Sequence, residues 1–145
     1  MAFKFRLQRV LDYRASLVEA QEVELGRCQL AVAQAEAHLS ALKQQRRALI
    51  SGLPAGNGRI RVEPVEGAWR YLDLLHIQEE EAERELRRRQ QALAAARERL
   101  AELKKQEQII AKLRDRQRAR ADLEARRQET RVLDDITNTR YSLRH

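Results

Sequence analysis

Residues able to do covalent or metal chemistry are few in this chain, and they are scattered. His38, His76 and His145 stand far apart, the single Cys28 has no Cys or His at metal-ligand spacing, and no glycine-rich loop joins a strand to a helix. Gly56-Asn57-Gly58 is turn chemistry. The chain therefore reads as non-enzymatic, with no catalytic residue, metal ligand or cofactor site. A lone cysteine offers no intramolecular disulfide, which fits a reducing compartment, and Cys28 suits a small buried hydrophobe. What the sequence does concentrate is positive charge. Residues 1–14 hold Lys4, Arg6, Arg9 and Arg14 against Asp12, four cations to one acid or +3. Residues 112–131 hold eight cations, Arg114, Arg116, Arg118 and Arg120 among them, to four acids or +4. These two segments account for the whole formal net charge of +7.

The elements that carry this charge follow from periodicity. Leu7, Leu11, Val18, Leu25, Cys28, Val32, Ala35, Leu39, Leu42 and Leu49 recur at alternating three- and four-residue steps, interrupted by Arg14, Gln21 and Arg46. Leu72, Leu75, Ala82, Leu86, Leu93, Ala96, Leu100, Leu103 and Ile110 repeat the pattern, interrupted by Glu79, Arg89 and Glu107, and Leu113 falls one step out of register. Both are coiled-coil seams. Between them, Gly52-Leu53-Pro54-Ala55-Gly56-Asn57-Gly58 cannot continue a helix, and Pro64 with Glu66 suits the start of the next one.

The predicted fold is all-α, a single domain over 1–145 forming a long two-helix antiparallel coiled-coil hairpin. Helix 1 is expected at about 5–51, roughly 70 Å at 1.5 Å per residue, the connection at 52–64 and helix 2 at about 65–140. Antiparallel pairing places together residues whose numbers sum to 121, setting Leu11 against Ile110, Arg14 against Glu107, Cys28 against Leu93 and Leu49 against Leu72. On helix 2, Glu80 with Arg84, Glu83 with Arg87 and Glu85 with Arg89 form i,i+4 pairs in the favourable order.

Composition agrees with a slender object: aromatics are 4%, charged residues 35% and mean hydropathy is −0.70, so the apolar content fills a two-helix seam and no thick core. No signal-peptide h-region and no stretch near 20 apolar residues is present, so a soluble, unexported protein is expected.

In such a hairpin the two basic segments lie at the same end, and helix 2 projects there beyond helix 1. A field of this kind attracts and orients an acidic partner. The arginines at 114, 116, 118 and 120 recur every second residue and so surround the helix, whereas a side-on ligand would need only one basic stripe. Nucleic acid is the competing partner, but the basic stretch follows the coil, is interleaved with four acids and lacks an aromatic or Asn base-reading cluster. A nucleic-acid-associated coiled coil stays as an alternative that steep salt dependence would reveal. At the other end Trp69, Tyr71, Leu72 and Leu75 gather at the start of helix 2. They read either as a small core capping the hairpin tip or as a docking surface.

The opening Phe3-Lys4-Phe5-Arg6-Leu7-Gln8-Arg9-Val10-Leu11-Asp12-Tyr13-Arg14 resembles that of the flagellar export protein FliJ family. So do Gln34-Ala35-Glu36 followed by Leu39 and Leu42, the Gly56-Asn57-Gly58 turn, Leu113-Arg114-Asp115-Arg116-Gln117 and Leu133-Asp134-Asp135-Ile136, in order along nearly the whole chain. The resemblance implies a cytoplasmic component of the type III export apparatus, peripheral to the inner membrane and required for motility. Members of the family resemble the coiled-coil stalk of rotary ATPases, occupy the centre of the hexameric export ATPase, bind the membrane export gate and associate with export chaperones. On that basis Arg6, Arg9, Arg114, Arg116, Arg118 and Arg120 are the candidate ATPase contacts, and Trp69, Tyr71 and Leu75 the candidate gate contacts. Gln78 and Ala82 depart from the family pattern, in which a small apolar residue and a histidine can stand there. The equivalent stalk of a virulence type III secretion system would carry the same seams and charge.

Overall fold

The computed structural model describes residues 2–52 and 62–144, with the side chains of 62–65 left aside. It is an all-α helical hairpin of two elements, α1 (Gln8–Ser51) and α2 (Val62–Arg144), with no strand among the described residues. α1 begins three residues later than periodicity suggests. Phe5 accepts the first turn's bond from the Gln8 amide at 3.2 Å, which leaves Leu7 ahead of the helix and more than a third exposed rather than in the seam. At the other end the Gly52 amide closes the last turn on the Ala48 carbonyl at 3.0 Å. Pro54 and the Gly56-Asn57-Gly58 turn lie outside the described residues. α2 starts three residues earlier than expected, with Pro64 in its first turn, where the missing N–H has no intrahelical acceptor to lose.

Two compact units divide the chain, one built from 1–19 and 101–145, the other from 20–100. In the second unit Leu39, Leu42, Leu75 and Ala82 form a buried cluster flanked by Leu49 and Leu86. Each buried leucine removed from water contributes about 1.5–3 kcal/mol, and Leu75, 1% exposed, is the most deeply placed side chain. Val32, Ala35, Ala96 and Leu100 extend the same seam. Cys28 is half-buried, its thiol 3.9 Å from a Glu24 carboxylate oxygen, so it is less enclosed than a seam hydrophobe of the expected kind.

The polar interruptions of this unit are paired across the helices. Arg46 meets Glu79 at 3.1 Å, with the Glu79 side chain 6% exposed and that of Arg46 37%. Gln21 donates from Nε2 to the Ala96 carbonyl at 3.2 Å, and Arg89 from Nη1 to the Ala31 carbonyl at 2.9 Å. The register sets Arg46 opposite Leu75 and Glu79 opposite Leu42. A long guanidinium and a carboxylate bridge that offset diagonally, which a Cα register does not disclose.

In the first unit Leu11, Val18 and Leu103 are buried, and Arg14 donates from Nη1 to Gln106 Oε1 at 2.6 Å. The ion pair expected with Glu107 is thus replaced by a hydrogen bond to the neutral amide one residue earlier, itself held by Glu102 at 3.3 Å. Beyond Ala121, which is half-buried, every residue of α2 to 144 is exposed.

Candidate partner-binding surfaces

All six candidate basic residues belong to the first unit. Arg6 precedes α1 and Arg9 lies in its first turn, both exposed; Arg116, Arg118 and Arg120 are exposed on α2. Arg114 differs. It is half-buried, its guanidinium lies 3.5 Å from Asp115, and its Nε is enclosed with no hydrogen-bond acceptor. The cause is positional: Arg114 follows Leu103, Glu107 and Ile110 at the next four-residue step and so occupies the seam itself, with its charge partly neutralised. The freely presented cations are therefore Arg116, Arg118 and Arg120. Successive members are about 200° apart at 100° per residue, so they alternate between opposite sides of α2. Such exposed charges act through their summed field, since single exposed ion pairs are worth only about 0–1 kcal/mol.

The second unit carries the apolar candidates. Trp69 is 58% exposed and Tyr71 46%, whereas Leu75 is 1% exposed and belongs to the buried cluster. Leu75 cannot touch a partner directly and supports the outer residues from behind. Leu72 is half-buried as a seam residue. Two residues that sequence reasoning passed over complete the outer face, Leu74 at 48% and Ile77 at 53%. Tyr71, Leu74 and Ile77 follow one another at i,i+3 off the seam stripe and make an exposed apolar row, with Trp69 exposed on another side of the same stretch of α2. A signal for it existed: Leu74 and Ile77 are aliphatic at i,i+3 on positions that this chain otherwise fills with charge. Large exposed apolar residues close together are the ordinary mark of an interaction surface. Within the same stretch, His76 faces Glu80 at 3.1 Å, drawing that carboxylate from the expected Arg84 pair.

Farther along, Arg89 and Arg88 hold Glu85 at 2.9 and 2.6 Å. Hydrogen bonds from Arg89 and then Arg88 to the ionised carboxylate lower its pKa below the usual glutamate value, since they stabilise only the charged form. Among the described residues no group of three His, Cys, Asp or Glu side chains is placed to hold a metal, and no helix is long and apolar enough to cross a membrane.

Residues 3–145 match the protein-family profile described as Flagellar FliJ protein. No curated protein and no solved structure matches the chain.

Proposed function

The chain belongs to the flagellar FliJ family, whose members are components of the flagellar export apparatus, and from that premise we propose that it is a non-enzymatic stalk linking the export ATPase to the export gate. The observation that carries this reading is the pairing of a basic, uncovered stretch of α2 at Arg116, Arg118 and Arg120 with separate exposed apolar residues at Trp69, Tyr71, Leu74 and Ile77. Two surfaces of different chemistry on one chain suit a connector, and neither offers a cavity with catalytic groups. The arginines, with Arg6 and Arg9, contact the hexameric ATPase ring, where an acidic surface would draw them in by long-range attraction. The apolar residues dock on the cytoplasmic side of the membrane gate, holding the protein at the inner membrane. Export chaperones associate with the same protein in the cytoplasm.

Reversing Arg116, Arg118 and Arg120 to Glu tests the ring contact. Glu is about as good a helix former as Arg, so helicity by circular dichroism is retained. The expected result is loss of ATPase stimulation and of motility, with co-purification of the ATPase falling steeply as salt rises in the unsubstituted protein. Normal stimulation by the triple variant at physiological salt would overturn the basic-end contact and move the ring contact to the apolar residues. Retention of duplex DNA by the unsubstituted protein at physiological salt, with no ATPase bound, would favour the nucleic-acid reading instead.

A further inference from the structure

The exposed part of α2 is not uniformly polar. Val132, Leu133, Ile136 and Leu143 are 56%, 63%, 45% and 82% exposed, and Ala125, Gln128, Glu129, Val132 and Leu133 line one shallow groove. Ala125, Glu129, Val132, Ile136, Thr139 and Leu143 recur at steps of four, three, four, three and four, the rhythm of a coiled-coil seam. At 100° per residue, Ala125, Val132, Ile136 and Leu143 fall with the buried or half-buried Leu103, Glu107 and Ile110 inside an arc of about 80°. The stripe is therefore the continuation of the face that α1 covers, past the point, at Ala121, where cover ends.

We propose that this stripe docks on the same stripe of a second copy of the chain, antiparallel, about a two-fold axis near residue 134. The spacing is self-complementary in that direction. Ala125 meets Leu143 of the second copy, Val132 meets Ile136, and Glu129 meets Thr139, so each layer joins the two kinds of seam position as an antiparallel coil requires and a two-fold interface repeats it. Thr139 donates its hydroxyl to the Asp135 carbonyl at 2.8 Å, which satisfies the polar atom within its own helix and leaves the methyl for the layer. Leu133, on the flank, meets its own mate across the axis. Charge agrees with the direction at the ends, where Glu129 lies beside Arg140 of the second copy, twice by symmetry, and between the like charges of Arg126 and that arginine. At the centre Asp135 approaches its mate, with Arg131 one turn back on the same helix to offset the repulsion.

A parallel pairing would instead stack Glu129 on Glu129 in the seam and bring the two α1 segments together on one face. The antiparallel arrangement avoids both, because the second copy's Leu143 enters opposite Ala125, just where the chain's own cover stops. Three heptads with two polar layers make a small interface, so a weak, transient association is expected. Paired in this way the apolar stripes of both tails are masked. The contact does not depend on the ATPase or gate assignments.

Sedimentation velocity of the full chain between about 1 and 200 µM reads it. Concentration-dependent dimers are expected, weakened at least tenfold by Val132→Glu with Ile136→Glu and unaffected by Ile77→Glu. Both sets of residues are exposed, so folding, checked by circular dichroism, is retained. Glu129→Arg should weaken the dimer and Glu129→Arg with Arg140→Glu should restore it. Direction is read in a Cys28→Ser background, where Leu133→Cys links to itself on oxidation and Leu143→Cys links only when mixed with Ala125→Cys. A monomer throughout the range, dimers lost in Ile77→Glu and kept in the Val132/Ile136 variant, or self-linking Leu143→Cys would each overturn the proposal.

Discussion

Removing Arg46 while keeping Glu79 should destabilise the hairpin more than its modest share of the seam suggests. The Glu79 side chain is 6% exposed, its Oε1 already lacks a hydrogen-bond partner, and Arg46 at 3.1 Å is the ion-pair partner that compensates its charge. Taking one partner from a fully buried pair costs about 3–5 kcal/mol. Arg46 is 37% exposed, so water reaches the pair, and a discounted figure of about 1–3 kcal/mol is expected for Arg46→Met. In a protein of this size each kcal/mol lowers Tm by about 2–4 °C, so thermal unfolding followed at 222 nm should shift by about 2–12 °C. Replacing both residues, Arg46→Met with Glu79→Leu, should recover the loss or exceed it, because the buried charge is gone along with its desolvation cost. A single variant within about 0.5 kcal/mol of the parent, or a double variant less stable than the single, would refute the reasoning.

Two further outcomes follow from the helices. Gly26 lies inside α1 with nothing within 4 Å of a Cβ built on it, so Gly26→Ala should raise stability by about 0.5–1 kcal/mol, read as a higher Tm with an unchanged far-ultraviolet spectrum. Because its folded pKa is depressed, Glu85 contributes stability above the ordinary glutamate pKa and loses it as pH falls through the lower folded value; its carboxyl carbon should titrate below the usual Glu range by NMR, and Arg89→Gln should move it back up.

The hairpin was readable in the sequence because a seam needs only period and side-chain type. Leu11, Val18, Val32, Ala35, Leu39 and Leu42 on α1, and Leu75, Ala82, Ala96, Leu100 and Leu103 on α2, are buried where that period places them. Polar pairing was not readable, since Arg46, Arg14, Gln21 and Arg89 have long side chains that reach a neighbouring layer or a backbone carbonyl. Charge counting also treated all arginines of the basic stretch alike, whereas the four-residue step from Ile110 carries Arg114 into the seam. The apolar stripe of the uncovered tail escaped notice because Glu129 and Thr139 interrupt it and the segment was read for its charge. Leu75 illustrates the remaining gap: an aliphatic residue beside Trp69 and Tyr71 fits a docking surface and a core equally well by type, and only its 1% exposure separates the two.

Site-specific photo-crosslinking in motile cells tests the stalk reading most directly. A photoreactive residue at Arg118 or Arg120 should capture the export ATPase, and one at Trp69 or Ile77 should capture the membrane export gate protein. Capture of the ATPase from Trp69 and Ile77, with none from Arg118 and Arg120, would contradict the assignment of the two surfaces and with it the proposed direction of the stalk.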